Sequence, residues 1–129
     1  PNAKFYVQAK ELRYAHSPDR FQKAAYIRES FDVNVKYVPI QGKSRIADNV
    51  TVIPTPGHSI GHQSVIIRSK ERNYVYCGDA APLIENLEER NIPGVLYRAD
   101  HALRSIDKLR SIKNAVYIYS HDNEQLTLA

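Results

Sequence analysis

Apolar residues in this chain fall mostly into short β-branched or aromatic runs closed by Pro, Gly, Asn or Ser, a pattern of strands and turns more than of long helices. Lys4 to Gln8 predicts a first strand, and Lys10 to Ala15 a brief helical turn. Ser17-Pro18-Asp19 is a helix start, with an N-cap hydroxyl, Pro at the first helical position and an acid in the first turn. Behind it Phe21, Ala24, Ala25 and Ile27 form an apolar stripe, which predicts a helix ending near Phe31. Val35 to Pro39 and Val50 to Thr55 read as strands; Ser64 to Arg68 and Tyr74 to Cys77 read as an antiparallel pair turning around Ser69-Lys70-Glu71-Arg72-Asn73. Asp100 is placed to N-cap a helix in which Ala102, Leu103, Ile106 and Leu109 recur at helical spacing, stopping near Asn114, before Val116 to Tyr119 returns as a last strand. The order β-α-β-β-β-β-α-β predicts an α/β (α+β) fold with one mostly antiparallel sheet and helices packed on one face.

With 129 residues, 43% hydrophobic and 25% charged, the chain has the composition of one soluble domain spanning 1–129. There is no apolar stretch near the roughly 18 residues of a membrane span and no secretory-type leader, so no membrane partner and a cytoplasmic setting are expected. The net charge of +4, from 18 Lys and Arg against 14 Asp and Glu, is scattered without a run of like charges. Nucleic-acid binding is therefore not indicated. The single Cys77 ends a strand, where a thiol behaves as a small buried hydrophobe, and it cannot form an internal disulfide. The chain starts at Pro1 and contains no Met, which predicts a fragment of a longer protein.

Candidate chemistry gathers where apolar runs stop. Thr55-Pro56-Gly57-His58-Ser59-Ile60-Gly61-His62-Gln63-Ser64 follows one run, Gly78-Asp79 another, and His121-Asp122 a third. A strand that ends on His or Asp delivers a metal ligand to one rim of a sheet. His58 and His62 are four apart, which on a helix would put both imidazoles on one face, but Pro56, Gly57 and Gly61 argue for a loop. In a loop, one imidazole can ligate while the other orients the loop or a ligand by hydrogen bonding. Asp79 has two carboxylate oxygens and so can bridge two cations. His16 and His101 match no motif and are expected at the surface.

These segments resemble the C-terminal half of the metallo-β-lactamase superfamily, within it most closely the N-acyl homoserine lactonase-like hydrolases. The closing motif Ser120-His121-Asp122-Asn123-Glu124-Gln125, the pair Asp79-Ala80 followed by Glu85-Asn86, and Ile92-Pro93-Gly94 leading into Ala102-Leu103-Arg104-Ser105 carry the likeness further. The resemblance implies one half of an αββα sandwich. It assigns His58 to a first metal, His121 to a second, Asp79 as the catalytic, bridging ligand, and His62 as a support. For the intact enzyme it implies two zinc ions that lower the pKa of a bridging water from about 15.7 toward 7, and hydrolysis of a small-molecule lactone, ester or thioester.

Two departures qualify that expectation. The HxHxDH cluster that supplies the other four ligands in this family is absent, so the fragment is expected to be inactive and to hold zinc weakly or not at all. Three residues after Asp79, where the lactonases carry a tyrosine, stands Pro82; Tyr97, Tyr119 or a residue outside this chain would have to substitute. With one sheet of the sandwich missing, the inner face of the other is left uncovered, which predicts a homo-oligomer that covers it. The competing readings are a non-catalytic half-domain with an assembly or binding role and a redox di-iron protein.

Overall fold

Five of the strand-forming runs build one mostly antiparallel sheet, and two others pair apart from it. The computed structural model describes residues 3–123 of the chain. In order, the elements are β1 (Lys4–Gln8), α1 (Ala9–His16), a 3-10 helix (Arg20–Ala25), α2 (Arg28–Phe31), β2 (Lys36–Ile40), β3 (Ser44–Ala47), β4 (Val50–Pro54), β5 (Gln63–Arg68), β6 (Asn73–Gly78), α3 (Ile84–Glu88), α4 (Ala99–Arg110) and β7 (Ala115–Tyr119). The main sheet runs β3-β4-β5-β6-β7, antiparallel except for the parallel β6–β7 pair. β1 and β2 form a separate parallel pair, because a parallel neighbour needs a long crossover and the residues around α1 supply it. Gln63 ties the two sheets: its amide donates to the Tyr6 carbonyl at 2.9 Å and its side-chain oxygen accepts from Gln8 at 3.1 Å.

Strand alternation divides the main sheet into unlike faces. Ile53, Ser64, Ile66, Val75, Cys77, Tyr117 and Tyr119 point to the side where α3 and α4 bring Leu87, Ile106 and Leu109, and this is the core. Cys77 is fully buried there, and burial pushes its thiol up to about 12, so it packs as a hydrophobe. The opposite face carries Ile67, Tyr74, Tyr76 and Ile118, which are cross-strand neighbours and all exposed.

The expected helix from Ser17 to Phe31 breaks in two. Tyr26 leaves the helical region (φ −108°, ψ 79°) to send its hydroxyl to Glu11 at 2.6 Å. The intended stripe finds no core, with Phe21 69% and Ile27 57% exposed, and a short helix without a packed face is marginal in water. Conversely, the turn expected at Lys10 to Ala15 extends into α1. Asp100 lies in the first turn of α4 and not at its cap, bridging Arg98 and Arg104, and α4 stops at Arg110, four residues before Asn114. Polar β3 and five-residue α3 carry too little periodicity to be read from sequence. Among the described residues no helix is long and apolar enough to cross a membrane.

Candidate metal-binding site

The site lies on one rim of the main sheet, where β4, β6 and β7 each end and hand over to a loop. Between β4 and β5, the loop Thr55–His62 is closed by the Thr55 N–H donating to the His62 carbonyl at 2.9 Å. Helix α4 fastens its approach: the Ser105 hydroxyl donates to the Pro56 carbonyl at 2.6 Å and the Lys108 ammonium to the Pro54 carbonyl at 2.6 Å. The amides of Tyr97 and Arg98 donate to the Gly57 carbonyl at 2.7 and 3.0 Å. These bonds remove the freedom that the glycines would otherwise give the loop.

His58 and His62 leave this loop in different directions. His58 Nδ1 lies 3.1 Å from the Val95 carbonyl, which can only accept, so the proton sits on Nδ1 and the Nε2 lone pair is free. That Nε2 faces Asp79 Oδ2 at 3.5 Å. His62 turns inward. The Asp79 N–H donates to His62 Nε2 at 3.0 Å, so its proton sits on Nδ1, which lies 2.9 Å from the Thr55 hydroxyl oxygen and 3.1 Å from the Thr55 carbonyl. Both His62 nitrogens are committed. Burial, then the neighbouring His58, holds the His62 pKa below the ordinary histidine value, in keeping with a neutral ring.

Asp79 follows Gly78, whose φ of +57° suits glycine, and a Cβ there would lie 2.8 Å from His62 Nε2. The turn thus seats the Asp79 backbone directly on the His62 ring. Burial raises the Asp79 pKa, but the Ser120 hydroxyl, donating to Oδ1 at 2.8 Å, and the nearby His58, His121 and His62 outweigh it, leaving the carboxyl below its usual value. His121 arrives at the end of β7, its N–H donating to the Pro82 carbonyl at 3.0 Å and its Nε2 lying 3.3 Å from Asp79 Oδ1. His58, Asp79 and His121 therefore line one cavity of about 190 Å³, walled by Pro82, Pro93, Gly94 and Val95.

The donor set is of the right kind for a divalent cation such as zinc: two imidazole nitrogens, one of them with its tautomer set by an outer hydrogen bond, flank a carboxylate from either side. It is distributed in pairs, with His58 on Oδ2 and His121 on Oδ1. Among the described residues no group of three or more His, Cys, Asp or Glu side chains is arranged so that it could hold a metal ion by itself. Of the other two histidines, His16 packs edge-on against Phe31. His101 is not the plain surface residue expected: its side chain is half-buried and lines a separate cavity of about 240 Å³ with Pro56, Arg104, Ser105 and Lys108. Tyr97 stacks on Phe21, and Tyr119 lies by Tyr117 against the core, so neither lines the cavity at Pro82. Ser120 and Thr55 also contribute, through Asp79 and His62, and nothing in the sequence singles them out although both lie inside the motifs quoted. Glu124 and Gln125 of the closing motif lie outside the described residues.

Comparison with known proteins places the family and the fold. An N-acyl homoserine lactonase, AttM, of Rhizobium radiobacter is 35% identical over 135 residues, covering 98% of this chain and 49% of the relative. An N-acyl homoserine lactonase of Bacillus cereus is 32% identical over 104 residues, covering 78% of this chain and 41% of the relative. A solved N-acyl homoserine lactone hydrolase, with N-hexanoyl-L-homoserine bound at its catalytic metal centre, superposes with a TM-score of 0.84 at 28% identity, covering 99% of this chain and 50% of that one. AidC, a dizinc quorum-quenching lactonase, shares the fold at TM-score 0.67 and 18% identity. The chain thus spans about half the length of the relatives it matches. With the family model matching residues 2–121, the chain belongs to the metallo-β-lactamase superfamily.

Proposed function

We propose that this chain contributes half of the active site of a metal-dependent hydrolase acting on a lactone, ester or thioester, an N-acyl homoserine lactone being the substrate that the relatives' names suggest. One observation carries this reading: two imidazole Nε2 atoms face opposite oxygens of one carboxylate at 3.5 and 3.3 Å. In it His58 would hold one cation, His121 a second, and Asp79 would serve both. Bound there, a pair of zinc ions would supply Lewis acidity and a water acidic enough to ionise near neutral pH.

The chain's own residues do the positioning. Val95 holds the His58 proton on Nδ1 and keeps Nε2 as the donor, while Ser120 orients the Asp79 carboxylate. His62 supports the site from below by fixing the Asp79 backbone, which makes it a strut and not a ligand. Pro82, Pro93 and Val95 line the cavity with apolar surface that keeps water from an ester-like carbonyl. Pro82 offers no hydroxyl, so a proton donor for the leaving oxygen comes from outside this chain. Three donors are too few for two cations, and the remaining ligands come from the same source. Alone, the chain holds zinc weakly and is inactive, and its exposed sheet face around Ile67, Tyr74, Tyr76 and Ile118 is covered by a second copy. The buried reduced thiol of Cys77 fits a cytoplasmic setting.

Zinc content and ester hydrolysis of the full-length enzyme, compared with its Asp79→Ala variant, test the assignment. Loss of both is expected, and an unchanged metal content and rate in the variant would sink it. For the chain by itself, dialysis against a mild chelator should strip zinc, and sedimentation at tens of micromolar should show a dimer or larger species. Stoichiometric zinc or a sharp monomer would contradict those two points.

A further inference from the structure

The apex of the His58–His62 loop is held by a side chain from a distant part of the sequence. Glu11, on α1, accepts the Ser59 hydroxyl on Oε2 at 2.9 Å across 48 residues and the Gly61 N–H on the same oxygen at 2.5 Å across 50. Its other oxygen accepts the Tyr26 hydroxyl at 2.6 Å. Burial, then Glu11 itself, pushes the Tyr26 pKa up, so the phenol stays a donor. Helix α1 is seated where only glycine fits, since a Cβ on buried Gly61 would lie 2.8 Å from the Glu11 nitrogen and 2.9 Å from its Cα.

Other bonds fasten the two ends of the loop. Tyr97 and Arg98 hold Gly57 and His58, and Thr55 holds His62. Between them Gly61 is buried, and Glu11 is the acceptor of its N–H. A buried N–H without a partner is costly, so the apex depends on this carboxylate. A carboxylate also suits the place chemically: three donors converge on two oxygens, a glutamine would turn an NH₂ toward one of them, and an aspartate is one methylene short.

We propose that Glu11 is a positioning residue for the site, acting through Ser59 and Gly61 to keep His58 Nε2 turned toward Asp79 and His62 Nε2 under the Asp79 N–H. That His58 is a ligand rests on the proposed function; that Glu11 sets the loop does not. Two readouts on the metal-free full-length protein test it, the Gly61 amide exchange rate and the ring-nitrogen NMR pattern that reports the His62 tautomer, for Glu11→Ala and Glu11→Gln. In Glu11→Ala, Gly61 exchange rises by roughly ten- to a hundredfold, the loss of a hydrogen bond to a charged group. The His62 ring then loses its single Nδ1–H form, while the amides of β5 and β6 keep their protection. Glu11→Gln falls in between, and zinc affinity drops in the same order.

Unchanged Gly61 exchange and an unchanged His62 tautomer in Glu11→Ala would overturn the proposal. So would an equal loss of protection throughout β5 and β6, which would make Glu11 a general stabiliser. Should Glu11→Ala fail to fold, Glu11→Gln decides by the same two readouts. Zinc retained by His58→Ala with Glu11 intact would overturn the ligand assignment alone and leave the loop readouts standing.

Discussion

His58 and His62 share a loop, a residue type and a side-chain length, yet the fold uses them for opposite purposes. His58 is bonded on one nitrogen only, with its other nitrogen pointing into a cavity beside a carboxylate. His62 is bonded on both, half-buried under the Gly78-Asp79 turn, and acts as part of the scaffold. Whether an imidazole is free to ligate depends on how many of its nitrogens the surrounding backbone has already claimed. His121 extends the contrast, since its side chain is 67% exposed against 29% for His58 and its backbone hangs on the Pro82 carbonyl.

The sharpest way to break this comparison is to truncate each ring in metal-free protein. His62→Ala removes the acceptor of the Asp79 N–H and leaves a void, so thermal unfolding should show a loss of about 2–4 kcal/mol. His58→Ala and His121→Ala should each cost less than about 1 kcal/mol, because they remove exposed or singly bonded groups. Equal losses for His58 and His62 would erase the distinction. A smaller effect is expected from Thr55→Val, which keeps the shape but deletes the hydroxyl between His62 Nδ1 and Ser64 Oγ, 2.8 Å away. About 1–2 kcal/mol should go with it, checked by denaturant unfolding.

The pH dependence separates His62 from Asp79. The folded His62 pKa lies below 6.5, so on acidification the unfolded chain takes up the proton first. Stability is full above about 6.5 and declines as the pH falls from there toward the folded value. Asp79 is also shifted down, from 3.8, and its contribution is lost only as the pH falls below that. Thermal midpoints with chelator present, scanned from about pH 8 to about pH 5, should therefore slope in the wild type and flatten in His62→Gln. A slope that survives the substitution would assign the upper window to another group. The smallest effect is that of Ser120→Ala, which should raise the Asp79 pKa, followed by carboxyl NMR titration, while costing less than about 1 kcal/mol because the site is partly open to solvent.

Much of this was legible in the chain because it depends on neighbours in sequence. The core-facing alternation of β5 and β6, the helical spacing of Ala102, Ile106 and Leu109, and the handover from strand to His or Asp at three places are all local patterns. What failed also failed locally: the stripe from Phe21 to Ile27 looks helical by spacing, but Phe21 and Ile27 stay exposed, and Tyr26 leaves the helix to reach Glu11. Glu11 itself carries no signal, since a lone acid on a short helix resembles any solvated charge until the fold brings Ser59 and Gly61 to it.

The sequence by itself determined which residue types end the strands, that the His58–His62 segment is a loop, and that the chain has the motifs of a metallo-β-lactamase half. Only the tertiary structure decided which histidine points out and which is locked in, that β1 and β2 pair apart from the main sheet, and that α1 braces the loop. The reason is physical. Periodicity and turn chemistry act over a few residues, whereas tautomer, burial and the partner of a buried N–H are set by groups up to 50 positions away.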